Sequence, residues 1–221
     1  MNTAFLTDAR EPASAAAGVR APVTRTVELV TAGHQPTYSE LDRHLRAQWP
    51  SARHSDRRLP AGSMPQLIPN FLVRVVEPSR DNAGWVYASL GASAQQRQGL
   101  PRTEFFLLAD HPDDRYVELV TMVAHYHLTI DHPLHVDRFI AIGEPLAGSG
   151  GQNTILVTLP YPYGPQLEWC QTHAGDVRYL WLLPIYESER DFIYSNGLEA
   201  LEQRFDDVGF DAADLQRRPV A

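Results

Sequence analysis

The chain has 221 residues, of which 43% are hydrophobic and 10% aromatic, and its formal net charge is −8 at pH 7. This length and composition predict one large domain with a packed core. All 19 basic residues are arginine, which excludes Schiff-base and Walker-type chemistries because both need a lysine. The negative charge argues against a nucleic-acid binder, which would need a basic face.

The sequence also predicts where the protein works. No apolar run reaches the roughly 18 residues that a membrane span needs, and the N-terminus lacks the pattern of a secretory signal. Cys170 is the only cysteine, so no disulfide can form within the chain. These observations predict a cytoplasmic protein without a membrane partner.

Composition and local patterns divide the chain into three parts. Residues 1–23, rich in Ala, Pro, Ser and Thr, are predicted to be a disordered tail. Residues 24–66 are predicted to be an N-terminal extension with one short helix, which begins at Thr37 because Thr37 and Glu40 have the spacing of a capping box. The folded domain is predicted to span 67–221.

The first half of that domain has clear strand signals. Residues 71–77 and 85–90 are predicted to be strands of an antiparallel hairpin, because the residues between them are typical of turns. Residues 103–109 form a third apolar strand. The longest helix is predicted to follow Pro112 and to end before Pro133.

The second half alternates strands and breakers. Four further strands are predicted at residues 139–142, 154–159, 167–170 and 177–183. Pro184 is expected to stop the last strand, Ser188 to cap the helix that follows, and Leu198 to begin a second helical segment. Hairpins with single inserted helices predict an α+β fold. Its sheet is predicted to be mixed, mostly antiparallel and twisted, with helices packed on its faces.

Four histidines, His125, His127, His132 and His135, are the strongest metal-site candidate. Zinc prefers three or four such ligands. However, His125 and His127 lie two apart on a predicted helix and therefore point to opposite sides. No metal site is predicted; a hydrolase or metalloenzyme using this cluster, with His132 and His135 as the metal ligands, remains the alternative.

A second candidate is the pair Cys170 and His173. A catalytic thiol needs a lowered pKa and an orienting third group, whereas Cys170 follows Trp169 at the end of a predicted strand, where a buried, inert cysteine is more common. The serine-nucleophile pattern GxSxG is also missing. The sequence predicts a protein that is not an enzyme and uses no cofactor.

Exposed aromatic and acidic side chains are the remaining candidates. A Pro-rich loop and the strand after it carry aromatic residues, and acidic residues surround the next helix start. The predicted partner-binding residues are Tyr161, Tyr163, Trp169, Glu187, Glu189 and Asp191. Aromatic anchors are enriched at interfaces, although Glu189 and Asp191 would also suit a helix N-terminus.

Several short motifs occur in an order that points to a known family. They are YASLG at 87–91, TEFFLL at 103–108, IGEP at 142–145, LPY at 159–161, LLPI at 182–185 and GLEAL at 197–201. With Glu189, they make the chain from residue 67 onward resemble the suppressor of fused family in its bacterial, single-domain form. The resemblance implies a twisted sheet with helices on its faces.

The resemblance also implies a function. Animal members hold a transcription factor of the Hedgehog pathway by clamping its peptide as an added β-strand between two domains, and this chain resembles only the N-terminal one. Stand-alone bacterial members look like immunity proteins of toxin systems. The expected function is a non-catalytic protein-binding module that neutralises a toxin, and the negative charge would suit a basic toxin. A scaffolding subunit without a toxin is a third possibility.

Overall fold

The computed structural model describes residues 7–8, 29–30, 36–59, 68–97, 100–129, 133–146 and 151–221. The strands in these ranges are β1 (Thr7–Asp8), β2 (Leu29–Val30), β3 (His54–Arg57), β4 (Leu72–Val76), β5 (Trp85–Leu90), β6 (Gln96–Arg97), β7 (Arg102–Ala109), β8 (Arg138–Ala141), β9 (Thr154–Thr158), β10 (Trp169–Thr172) and β11 (Gly175–Ile185). The helices are α1 (Tyr38–Gln48), α2 (Asp114–Thr129), α3 (Pro165–Glu168), α4 (Glu187–Asn196) and α5 (Leu198–Val208).

One large sheet organises the molecule. Its strand order is β1-β8-β9-β11-β7-β5-β4-β3, and β10 forms a hairpin with the first part of β11. Among the described strands, only β11 and β7 pair in parallel. The strands β2 and β6 form a separate antiparallel pair. The predicted α+β fold with a mixed, mostly antiparallel sheet is confirmed.

Both faces of the sheet are buried, which explains the unbroken apolar run in β11. Leu180 and Leu182 point to the face that α2 covers. Tyr179, Trp181 and Leu183 point to the other face, where α1, α3 and α5 pack. A central strand covered on both sides has no polar face.

Of the two helix N-caps predicted from the sequence, the structure confirms the one at α1 and corrects the one at α4. Thr37 caps α1 as predicted: its main-chain N–H donates to the Glu40 carboxylate (2.9 Å), and its hydroxyl accepts from the Glu40 N–H (3.3 Å). The prediction for α4 was wrong, because Tyr186 and not Ser188 is the N-cap. The Glu189 carboxylate accepts the Tyr186 main-chain N–H at 2.9 Å, so the acid performs the capping.

Two strand predictions also need correction. Residues 165–168 form the short helix α3, since Gly164 and Pro165 together set up a helical turn, and β10 begins only at Trp169. Pro184 does not stop β11, which continues to Ile185. Pairing with β7 ends at Trp181, so the N–H that proline lacks lies beyond that pairing.

The N-terminal part of the chain is described only in places. Within residues 1–23 the structure describes Thr7–Asp8, which pair with Ala141 and Ile140 of β8; the rest of the predicted tail lies outside the described residues. The three-part division of the chain therefore stays a prediction. Among the helices that the structure describes, none has the length and apolar character to cross a bilayer.

Candidate functional site

A groove lies between the second face of the sheet and α5. Its volume is about 790 Å³. The residues that line it are Asp81, Asn82, Ala83, Gly84, Leu108, Leu156, Thr158, Tyr161, Pro162, Tyr163, Trp181, Leu183, Leu198, Glu202, Phe205, Asp206, Gly209, Phe210, Asp211, Ala212 and Ala213. Clefts of this size are typical ligand sites. We refer to it as the acidic groove, for the reason given below.

The floor of the acidic groove is apolar because alternate residues of the central strands point into it. Leu108 of β7, Leu156 of β9, and Trp181 and Leu183 of β11 lie on this face of the sheet. Phe205 of α5 closes one side. The floor thus presents aliphatic and aromatic surface that would favour an apolar side chain.

The rim of the groove is acidic. Asp81, Glu202, Asp206 and Asp211 line it, and none of the lining residues is Arg, Lys or His. Burial raises the pKa of Glu202, and the nearby negative charges of Asp137 and Asp206 contribute to this rise. Such crowding of like charges disfavours the ionised form, and a bound cation would relieve it.

A tight turn after α5 builds the far wall. Gly209 ends the helix in the left-handed conformation (φ 66°), and the N–H of Phe210 then donates to the Phe205 carbonyl at 2.9 Å. The two phenylalanine rings stack with centroids 4.2 Å apart. A Cβ atom on Gly84 would lie 2.6 Å from the Cβ of Ala213, so glycine permits the β4–β5 turn to meet this wall.

A buried ion pair between Arg217 and Glu189 supports the same wall. The guanidinium of Arg217 contacts the rings of both Phe205 and Phe210, with 5.2 Å to each centroid. Its Nη1 and Nη2 atoms donate to the Glu189 carboxylate at 2.6 and 2.7 Å. The Glu189 side chain is fully buried and also accepts the Val220 N–H at 3.0 Å. Glu189 therefore anchors the C-terminal segment.

Two of the predicted partner-binding residues line the acidic groove. Tyr161 stands at its mouth with 56% of its surface exposed. Tyr163 is half-buried, and its ring meets the edge of Trp49 with centroids 5.2 Å apart. Burial raises the pKa of Tyr163 to about 12.

The other four predicted residues lie outside the groove lining. Trp169 is exposed on β10, where Arg178 stacks over its ring at 5.1 Å. Glu187 and Asp191 are exposed on α4 and both pair with Arg190. Glu189, expected on a partner surface, is buried instead. The structure thus does not gather the six into one patch.

The histidines occupy ordinary structural positions where they are described. His125 is buried, with Nδ1 2.8 Å from the Thr121 carbonyl. His127 is also buried and accepts the Leu134 N–H at 3.1 Å, whereas His135 is exposed. His132 lies outside the described residues. No group of three or more potential metal ligands occurs in the part of the chain that the structure describes.

The pair Cys170 and His173 is not arranged as a nucleophile and base. Cys170 is buried, and burial raises the pKa of its thiol to about 12, so the thiol stays protonated at neutral pH. The Nδ1 atom of His173 instead lies 2.9 Å from a carboxylate oxygen of Glu40, across from the α1 cap. This geometry does not generate a thiolate.

Sequence reasoning missed most of the acidic groove. Glu202 was not recognised as a site residue, although it lies on one face of α5 with Leu198, Phe205 and Asp206. The available signal was the interruption of an apolar stripe: Glu202 follows Leu198 by four positions and precedes Phe205 by three. An acid within such a stripe marks a carboxylate at the boundary of the core.

The chain is similar to known proteins in its sequence family and in its fold. The family described as Suppressor of fused protein (SUFU) matches residues 70–218. The crystal structure of a SUFU homolog from Neisseria gonorrhoeae is 29% identical, with a TM-score of 0.70, over 83% of this chain and 96% of that one. No curated protein sequence gave a significant match.

Two more distant structures share the fold. A chain in the crystal structure of the Sufu–Fu complex is 16% identical with a TM-score of 0.64, covering 84% of this chain and 93% of that one. Drosophila Suppressor of Fused is 17% identical with a TM-score of 0.58. The alignment covers 86% of this chain but 52% of the Drosophila chain, so this chain corresponds to about half of that protein.

Proposed function

The chain belongs to the suppressor of fused family, and we propose that it is a non-catalytic, protein-binding module that works in the cytoplasm. The acidic groove carries this proposal, because it combines an apolar floor with four lining carboxylates and no basic side chain in its lining. In support, a related fold is found in a Sufu–Fu complex. The described candidates for catalysis, Cys170 and the histidines of α2, are engaged in packing and local hydrogen bonds.

The finer part of the proposal concerns the partner. We propose an immunity-type role, in which the protein binds one toxin molecule stoichiometrically and covers its active site. The net charge of −8 and the acidic rim favour a basic toxin, since charge complementarity speeds encounter and selects the partner. The mechanism involves no turnover and no cofactor.

Affinity purification from the native host tests the proposal. The tagged protein is expected to retain one protein in a 1:1 complex, which native mass spectrometry would detect. The recombinant partner should then arrest growth when expressed alone and lose its activity at one equivalent of this protein. Retention of a partner with no toxicity would refute the immunity role and leave the binding role intact.

A metal analysis tests the competing enzyme function. The binding proposal predicts no stoichiometric zinc in the protein purified without chelator. One equivalent of zinc that is lost on His132→Ala or His135→Ala would instead favour a metalloenzyme. His54→Ala is a suitable control, since His54 lies on β3 and bonds the Trp49 carbonyl at 2.9 Å.

A further inference from the structure

Two acids of the acidic groove, Glu202 and Asp206, differ from other acids of this face in having no cationic partner. Asp42 pairs with Arg74 at 2.6 Å, and Glu189 pairs with Arg217 at 2.6 Å. Within the described residues, Glu202 and Asp206 form no ion pair. They lie one helical turn apart on α5.

The position of Glu202 and Asp206 would strengthen their attraction for a cation. Glu202 is half-buried and borders the apolar floor, whereas Asp206 is exposed at the rim. A guanidinium or ammonium placed between them would lie close to Phe205, which precedes Asp206 on the same helix. A cation in such a partly dry site gains more from a carboxylate than it would in water.

A further unsatisfied group lies in the floor itself. The Nε1 atom of Trp181 is buried and has no hydrogen-bond partner among the described residues. A buried donor without an acceptor is unfavourable, because it has lost its hydrogen bond to water. A main-chain carbonyl that enters the groove would bring an acceptor to the residue that carries this donor.

The size of the groove favours a ligand longer than one side chain. Its lining includes Asp81 in the β4–β5 turn, Tyr161, and Leu198 at the start of α5. A volume of about 790 Å³ exceeds what one side chain fills. An extended chain would place alternate side chains on the floor and at the rim.

We propose that the acidic groove binds an extended segment of a protein partner in which an apolar side chain is flanked by arginine or lysine. The apolar side chain packs against Trp181, Leu183 and Phe205, and the basic side chain pairs with Glu202 and Asp206. The inference rests on the proposed function as a protein-binding module. It deepens that function by naming the chemistry that the groove recognises.

Fluorescence anisotropy with synthetic peptides tests the inference. The probe is a labelled, capped peptide in which leucine alternates with arginine. We expect it to bind, to bind at least about tenfold more weakly when glutamate replaces arginine, and to lose affinity similarly when serine replaces leucine. The double variant Glu202→Gln, Asp206→Asn is expected to weaken binding of the arginine peptide by at least about tenfold.

A matched control separates groove binding from general charge attraction. Asp207 neighbours Asp206 on α5 but does not line the groove. A double variant carrying Glu199→Gln and Asp207→Asn removes the same charge from the same helix and should bind the arginine peptide as the unmodified protein does. Thermal melting should show all of these variants folded, since the four side chains are not in the core.

The indole N–H resonance of Trp181 gives a second readout. We expect it to shift on addition of the arginine peptide, while the resonance of exposed Trp169 stays unchanged. Trp181→Phe identifies the signal.

Several results would overturn the inference. These are equal binding of arginine and glutamate peptides, equal loss in both double variants, or equal occupancy by free arginine amide. A concentration-dependent dimer that blocks the groove would show that a second copy is the occupant. If a native partner is retained by the Glu202→Gln, Asp206→Asn variant with full affinity, the groove inference fails while the proposed binding function stands.

Discussion

Arg217→Ala should strongly lower the free energy of unfolding. It removes two hydrogen bonds to the Glu189 carboxylate, at 2.6 and 2.7 Å, and leaves that carboxylate in a fully buried position. Removing one partner of a buried ion pair costs about 3–5 kcal/mol, because the other charge stays buried and unpaired. The ring contacts with Phe205 and Phe210 are lost as well.

The size of this effect can be stated for two assays. In urea titration, the free energy of unfolding should fall by about 3–5 kcal/mol, out of the roughly 5–15 kcal/mol that typical domains have. The melting temperature should fall by about 6–20 °C, since each kcal/mol shifts it by about 2–4 °C at this chain length. Hydrogen exchange at the Val220 amide, which donates to Glu189, should also accelerate.

Arg190→Ala provides the control for this prediction. Arg190 also pairs with acids of α4, but its partners Glu187 and Asp191 are 61% and 62% exposed. Exposed pairs contribute about 0–1 kcal/mol, so this variant should unfold almost as the unmodified protein does. If Arg217→Ala were no more destabilising than Arg190→Ala, the assignment of Glu189 and Arg217 as the anchor of the groove wall would be wrong.

Three further predictions concern stability. Glu104→Ala should cost about 3–5 kcal/mol in urea unfolding, because the buried Glu104 carboxylate accepts hydrogen bonds from Ser89, from Ser93 and from main-chain N–H groups of the turn after β5; Glu104→Gln should recover part of the loss. Gly84→Ala should lower the melting temperature, since its Cβ would meet Ala213 at 2.6 Å; unchanged melting would contradict that close approach. Burial lowers the pKa of His44 below 6.5. The unfolded state then binds more protons, so stability should fall as pH drops from 6.5 toward that lowered value, and less steeply in His44→Phe.

Local signals carried most of the fold prediction. The capping box of Thr37 and Glu40 involves residues three apart, so the sequence shows both partners. The strand at residues 85–90 was predicted with its observed bounds, because turn residues precede it and apolar residues fill it. In contrast, the sequence did not show that Glu189 anchors the C-terminal segment, since its ion-pair partner Arg217 is 28 residues away.

The candidate site was predicted only in part for the same reason. Tyr161 and Tyr163 were identified from their Pro-rich loop, and both line the acidic groove. The groove itself depends on how far α5 and the turn at Gly209 lie from β11. No local sequence pattern encodes this separation. Trp169 was predicted as an interface residue because it is an aromatic residue near a Pro-rich loop, but it lies outside the groove lining.

The late position of β11 in the chain has a consequence for biosynthesis. This strand pairs with β7 on one side and with β9 and β10 on the other, and all three of those strands precede it in the chain. Until residues 175–185 leave the ribosome, the strands on the two sides of β11 have no strand to join them. The edges of β7 and β9 that pair with β11 are then unpaired and apolar. Such edges invite association with other chains. Demand for chaperone assistance should therefore peak just before this segment emerges and end once it docks.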